Sequence, residues 1–113
     1  MTFTILAIGD IHLGKRPSRL PPGLHERIDI ASLTPAAALR QATRTAIDLN
    51  VDAVCLAGDV VEQPDDFFEA YGDLDTAVRA LSAENIPIIA VSGNHDTIVL
   101  PRLAGSISGL HLL

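Results

Sequence analysis

The chain is short of most residues that signal special architectures. It has one cysteine, Cys55, so no internal disulfide framework can exist. Cys55 lies inside an apolar run and reads as a small buried hydrophobe, not a nucleophile. A lone thiol also fits a reducing, cytoplasmic setting. No stretch approaches the roughly 18 consecutive apolar residues of a membrane helix. No basic segment leads the first apolar run, as it would in a secretory signal. Internal repeats and low-complexity tracts are absent too. Charged residues make up only 19% against 48% hydrophobic, a globular balance. At 113 residues the expectation is one domain at most, large enough to bury a core. Aromatics are scarce, and Phe67 and Tyr71 sit at helical spacing, where packing explains them better than a cofactor box.

Basic charge is scarce and unevenly placed. The net charge is −6 and the pI about 4.9, which argues against binding nucleic acid through bulk charge. Six of the eight Lys and Arg nevertheless fall within residues 1–44. Lys15, Arg16, Arg19 and Arg27 occupy the loop after the first apolar run, followed by Arg40 and Arg44. Two readings stay open for the loop group: a solvated loop, or a grip on a phosphate backbone.

What the chain does have is three apolar runs, Phe3 to Ile8, Ala53 to Ala57 and Ile86 to Val91. The first is apolar on both faces except at Thr4, as covered parallel strands tend to be. The stretch from Lys15 to Leu33, with Pro17, Pro21, Pro22 and Gly23, reads as a long irregular loop of the kind that is usually functional. Thr34-Pro35 predicts a helix N-cap with proline at the first helical position, and Asn50 a stop. Leu39, Ala42, Ala46 and Leu49 form the apolar stripe of that helix. A second helix is expected from about Asp65 to Ala83, with Phe67, Tyr71, Leu74, Val78 and Leu81 in register. Gly72 is a candidate break within it. The order is βαβαβ, which predicts a parallel sheet with right-handed crossovers. Leu110, Leu112 and Leu113 suggest that the chain ends inside or just before a fourth strand, leaving an open sheet edge and one uncovered face.

Each apolar run ends in a polar peptide: Gly9-Asp10-Ile11-His12, Gly58-Asp59 and Gly93-Asn94-His95-Asp96. Ligands of open α/β sheets sit beyond the carboxyl ends of the strands. Asp10 and His12 stand two apart and face the same way if extended. Carboxylate with neutral imidazole suits Mn, Fe or Zn better than Mg or Ca. Asp59 could offer an oxygen to each of two ions, and Asn94 a neutral carbonyl oxygen to the second. Asp10 and Asp59 brought together would repel unless a cation lay between them. An isolated D-x-H or G-D is a weak signal. The three peptides in this order after successive strands are not.

This combination resembles the calcineurin-like metallophosphoesterases, whose pattern is D-x-H, then G-D, then G-N-H-D/E. The stretches 10–14, 51–59 and 87–96 look most like the SbcD-type bacterial DNA repair exonucleases. The resemblance implies that the βαβαβ sheet is the N-terminal half of a four-layer α-β-β-α fold, with residues 1–113 the N-terminal part of the domain. It implies two divalent ions, Mn2+ first and Fe or Zn as alternatives. Asp10 and His12 would bind one ion, Asp59 would bridge, Asn94 would bind the other, and His95 would contact the scissile phosphate. Lys15, Arg16 and Arg19 would contact the substrate backbone.

The sequence departs from the family in two ways. The further histidine ligands expected in a C-terminal half do not appear. His111 and His25 do not fit that motif, and the chain alone is expected to bind metal weakly and hydrolyse little. Glu62 stands three residues after Asp59, where relatives carry Asp or His. We expect Glu62 to orient His95, the alternative being a solvated surface carboxylate. The function expected is metal-dependent phosphodiester hydrolysis, as a DNA repair exonuclease or endonuclease. The alternatives are a phosphoesterase for a small phosphoester, nucleotide or phosphoprotein, and a non-catalytic assembly module. DNA and an SMC-like ATPase subunit are the partners implied, with self-association through the sheet edge and no membrane.

Overall fold

A computed structural model describes residues 2–15, 34–94 and 96–113. Four strands, β1 (Ile5–Gly9), β2 (Ala53–Ala57), β3 (Ile88–Val91) and β4 (Leu110–Leu112), form one sheet in the order β1-β2-β3-β4. Every pairing is parallel. Helices α1 (Pro35–Asp48), α2 (Phe67–Ala83) and α3 (Val99–Ser106) make the crossovers. Each strand is added on the same side of the last, so right-handed crossovers carry all three helices to one face. Consistently, α1 packs on α2 and α2 on α3.

Side chains alternate accordingly. Leu6 and Ile8 of β1, Val54 and Leu56 of β2, and Ile88 and Ala90 of β3 point into the core with Leu39, Leu74 and Leu81. Each fully buried Leu contributes about 1.5–3 kcal/mol relative to exposure. Their neighbours form the other face. There Ala7, Cys55, Ile89 and His111 lie in one row across the sheet, and Ile5 and Val91 are exposed. Among the described residues, the face expected to lie uncovered thus carries exposed apolar side chains.

The helix ends follow the sequence closely. The Thr34 hydroxyl accepts the Ala37 N–H at 3.2 Å, with Pro35 next. Asn50 and Asn85 take left-handed φ of 51° and 58°. At α1 the Asn50 N–H bonds Ile47 O and the Val51 N–H bonds Ala46 O. The Asn85 and Ile86 N–H groups repeat this on Ser82 and Leu81. Both are Schellman stops, with Asn replacing the usual Gly. The buried Val51 and Ile86 follow them and lead straight into β2 and β3.

Three details differ from expectation. The helix α2 runs unbroken through Gly72, preceded by a 3-10 turn over Pro64–Asp66. Strand β1 begins at Ile5, not Phe3, because the Thr4 N–H is taken by the Asp52 side chain at 2.7 Å. The short helix α3 was not expected. Its Pro101 sits in the first turn, where an N–H has no partner to lose, and Val99, Leu100 and Leu103 are buried. The Arg102 guanidinium lies 4.4 Å above the Phe67 ring, fastening α3 to the start of α2.

Candidate metal centre

Register brings the strand ends level. Gly9 pairs with Ala57, and Ala57 with Val91, so the next residues of each strand emerge along one edge. Past that edge the first two loops continue as a short parallel ladder. The His12 N–H donates to Asp59 O at 2.8 Å, the Leu13 N–H to Val60 O at 2.7 Å, and the Glu62 N–H to Leu13 O at 2.9 Å. Leu13, Val60 and Val61 are fully buried and anchor the ladder from below.

This ladder sets Asp10, His12 and Asp59 together. Each offers one ligand atom, and the three atoms lie within 4.8 Å of one another. The ring Nε2 of His12 is 3.9 Å from Asp10 Oδ1. The Asp10 side chain is 82% exposed, so the cluster opens to solvent and to an incoming ligand. Two carboxylates and an imidazole converging this closely form a donor set suited to a divalent transition ion.

The backbone here is unusual. Among the described residues five non-glycine positions have positive φ, two being the helix stops. The other three are Asp10 at 52°, His12 at 53° and Asp59 at 47°. A left-handed conformation costs an L-residue roughly 1–2 kcal/mol, and such costs cluster at functional sites. The left-handed turns at the ends of β1 and β2 thus carry the three clustered side chains.

The third strand end is held by Asp96, which is fully buried. Its carboxylate accepts the Val60 N–H at 2.6 Å and the Val61 N–H at 3.3 Å. It also accepts the Gly93 N–H at 2.6 Å. One side chain thereby fastens the loop after β3 to the loop carrying Asp59. Gly93 packs so closely that a Cβ there would strike the Asp59 carboxylate and backbone nitrogen. In the sequence Asp96 is only the last residue of the Gly93-Asn94-His95-Asp96 peptide, and its burial is what gives it this role.

The other expected residues fall as follows. Asn94 is exposed, one residue beyond Gly93. Glu62 places Oε2 2.6 Å from His12 Nδ1. Lys15 lines a recess of about 260 Å3 with Thr34, Arg40, Glu69 and Asp73, a lining that includes none of the three clustered residues. Arg16, Arg19, His25, Arg27 and His95 lie outside the described residues, so the expected contact of Glu62 with His95 does too. A further recess of about 200 Å3 lies between α1 and α2, where Arg40, Arg44 and Asp73 join Leu39 and Ala77 in the lining, with none of the three clustered residues.

The pattern of the calcineurin-like phosphoesterases matches residues 3–111. The chain belongs to that family. The family is one of phosphoesterases. It is 34% identical over 93 residues to the DNA double-strand break repair protein Mre11 of Aeropyrum pernix, a match covering 82% of this chain and 21% of that protein. The nuclease MPE of Pseudomonas putida superposes with a TM-score of 0.63 at 16% identity, covering 96% of this chain and 46% of that one. A dimetal phosphatase from Danio rerio gives 0.56 at 22% identity, with 91% and 33% covered. At those identities the two structures speak for the fold alone. The chain spans about a fifth of the curated relative. No helix among the described residues is long and apolar enough to cross a membrane.

Proposed function

We propose that this phosphoesterase chain takes part in metal-dependent hydrolysis of phosphodiesters in DNA, in the manner of a repair nuclease. The observation that carries the proposal is the convergence of Asp10, His12 and Asp59 within 4.8 Å on left-handed backbone. The 34% identity to Mre11 supports nucleic acid as the substrate class.

Asp10 and His12 would hold one divalent ion in this reading. Asp59 would be shared between it and a second ion, to which Asn94 would offer a neutral oxygen. Mn2+ suits the mixed carboxylate and imidazole donors, with Fe and Zn as alternatives. When bound, such ions offset charge on phosphoryl oxygens and make a water acidic enough to attack. The protein's own contribution is to hold the carboxylates rigidly on the Asp96-fastened edge and leave the Asp10 side open for a backbone phosphate. His95 follows Asn94 directly and stabilises the phosphoryl oxygens or protonates the leaving oxygen. Lys15, Arg16 and Arg19 add salt-dependent affinity without sequence preference. An SMC-like ATPase subunit is the partner the proposal implies.

A second reading, hydrolysis of a small phosphoester, is favoured by the net charge of −6, which repels a polyanion. Single-stranded DNA, double-stranded DNA and bis-p-nitrophenyl phosphate offered with Mn2+ separate the two. Cleavage of DNA that disappears in Asp59→Asn supports the nuclease. Turnover of the small ester with no DNA cleavage at low salt overturns it.

A further inference from the structure

We infer that Glu62 is a positioning residue. Its carboxylate holds the neutral His12 ring with the proton on Nδ1, leaving the Nε2 lone pair to face Asp10 and Asp59. This deepens the proposal above and rests on its assignment of His12 as a metal ligand.

A neutral imidazole carries one N–H and one lone pair, and only the nitrogen with the lone pair can bind a metal. In water the neutral ring prefers its proton on Nε2, the atom that here faces Asp10 at 3.9 Å. That form would turn a hydrogen toward the metal position. The other ring nitrogen decides the matter. Nδ1 lies 2.6 Å from Glu62 Oε2, and an ionised carboxylate only accepts. Both atoms are closed to solvent, so no water can mediate between them. The approach lies off the ideal hydrogen-bond axis. Even so, two lone pairs cannot face each other at such a separation, whereas an N–H and a carboxylate can. Metal-binding histidines are commonly fixed through their second nitrogen in this way, and loss of the partner costs about 10–100-fold in metal affinity.

Glu62 is not there by the accident of a flexible surface chain. Its backbone N–H is bonded to Leu13 O at 2.9 Å, directly after His12, and the buried Leu13–Val61 bridge fixes the spacing. The side chain itself is only 22% exposed. From this backbone position the glutamate length makes the contact. Aspartate, one methylene shorter, would fall short of Nδ1.

The test reads the tautomer without metal. Long-range 1H–15N correlation spectra of the metal-free protein, taken where the ring is neutral, assign the protonated nitrogen of His12. The wild type is compared with Glu62→Gln, Glu62→Asp and Glu62→Ala, with backbone amide spectra checking that each is folded. Wild type and Glu62→Gln, whose amide oxygen still accepts, are expected to show Nδ1–H. Glu62→Asp and Glu62→Ala are expected to revert to Nε2–H. Calorimetric Mn2+ affinity should fall about tenfold or more in Glu62→Ala and be restored in Glu62→Gln. An Nε2–H ring in the wild type, or a tautomer indifferent to Glu62→Ala, overturns the inference. If the tautomer follows Glu62 but His12→Ala leaves Mn2+ affinity unchanged, the ligand assignment of His12 fails instead, and with it the purpose assigned to the pairing.

Discussion

The Asp96 carboxylate receives the Val60 N–H at 2.6 Å across the space between the second and third strand ends. Val60 directly follows Asp59, so a buried acid in one motif fixes the backbone beside an acid of the candidate metal cluster in another. In Asp96→Asn, an amide NH2 replaces one oxygen and meets backbone N–H donors head-on. We expect a loss of about 3 kcal/mol in stability, since a buried donor left without an acceptor costs about 1–3 kcal/mol and more when a charge was involved. Urea unfolding measures it. A loss below about 0.5 kcal/mol, within the range of ordinary surface substitutions, would contradict the role assigned to Asp96.

Gly93 guards the same junction by having no side chain. The methyl of Gly93→Ala would meet the Asp59 carboxylate and the adjacent backbone nitrogen. Overpacking of this kind costs about 1–3 kcal/mol, and relief requires Asp59 to move. The expected result is a lower melting temperature together with weaker Mn2+ binding. Unchanged values of both would show that the close approach does not matter.

Gly72 is the opposite case. It lies exposed in the middle of α2, and a Cβ there would meet nothing within 4 Å. Gly72→Ala should therefore stabilise by about 1 kcal/mol through helix propensity alone. Denaturant midpoints of the two proteins give the answer directly, and a destabilised variant would refute it.

A pH effect is expected at Asp73. Burial raises its carboxyl above the ordinary 3.8, the negative charge of Glu69 raises it further, and Arg40 pulls the other way. The folded state therefore holds this proton more tightly than the unfolded chain does. Stability from this group is greatest below pH 3.8 and declines as pH rises through the interval up to the raised folded value. Asp73→Asn should be more stable than wild type at neutral pH by a few tenths of a kcal/mol, given the solvent screening of a partly exposed charge. The gain should vanish in acid. Unfolding curves at both pH values check the sign, which would be reversed if Asp73 made a favourable ion pair.

The sequence made the sheet and its edge readable because periodicity and stop signals are local. Thr34, Pro35, Asn50 and the three strand-end peptides all announced their positions through nearest neighbours. What it hid depends on contacts between segments. The helix α3 has only eight residues, too few to display a period, and its Pro101 and Gly105 argue against a helix until one sees that Leu100 and Leu103 have a core to enter. The buried duty of Asp96 arises from side-chain bonds between the second and third loops, and the meeting of Glu62 with His12 from the backbone ladder between the first and second. No local pattern in any of these loops encodes either contact. His12 itself was legible as a ligand candidate, whereas its left-handed backbone was not, since even the residue types enriched in that conformation adopt it only occasionally.

Those left-handed residues set activity against durability. Glycine at position 10, 12 or 59 would relax the backbone there while deleting a donor of the candidate metal cluster. A search for sturdier variants that scored melting temperature alone would be drawn to the positions the chemistry needs most. The same search coupled to metal binding should leave all three untouched and find its gains elsewhere, on exposed helical surface such as Gly72.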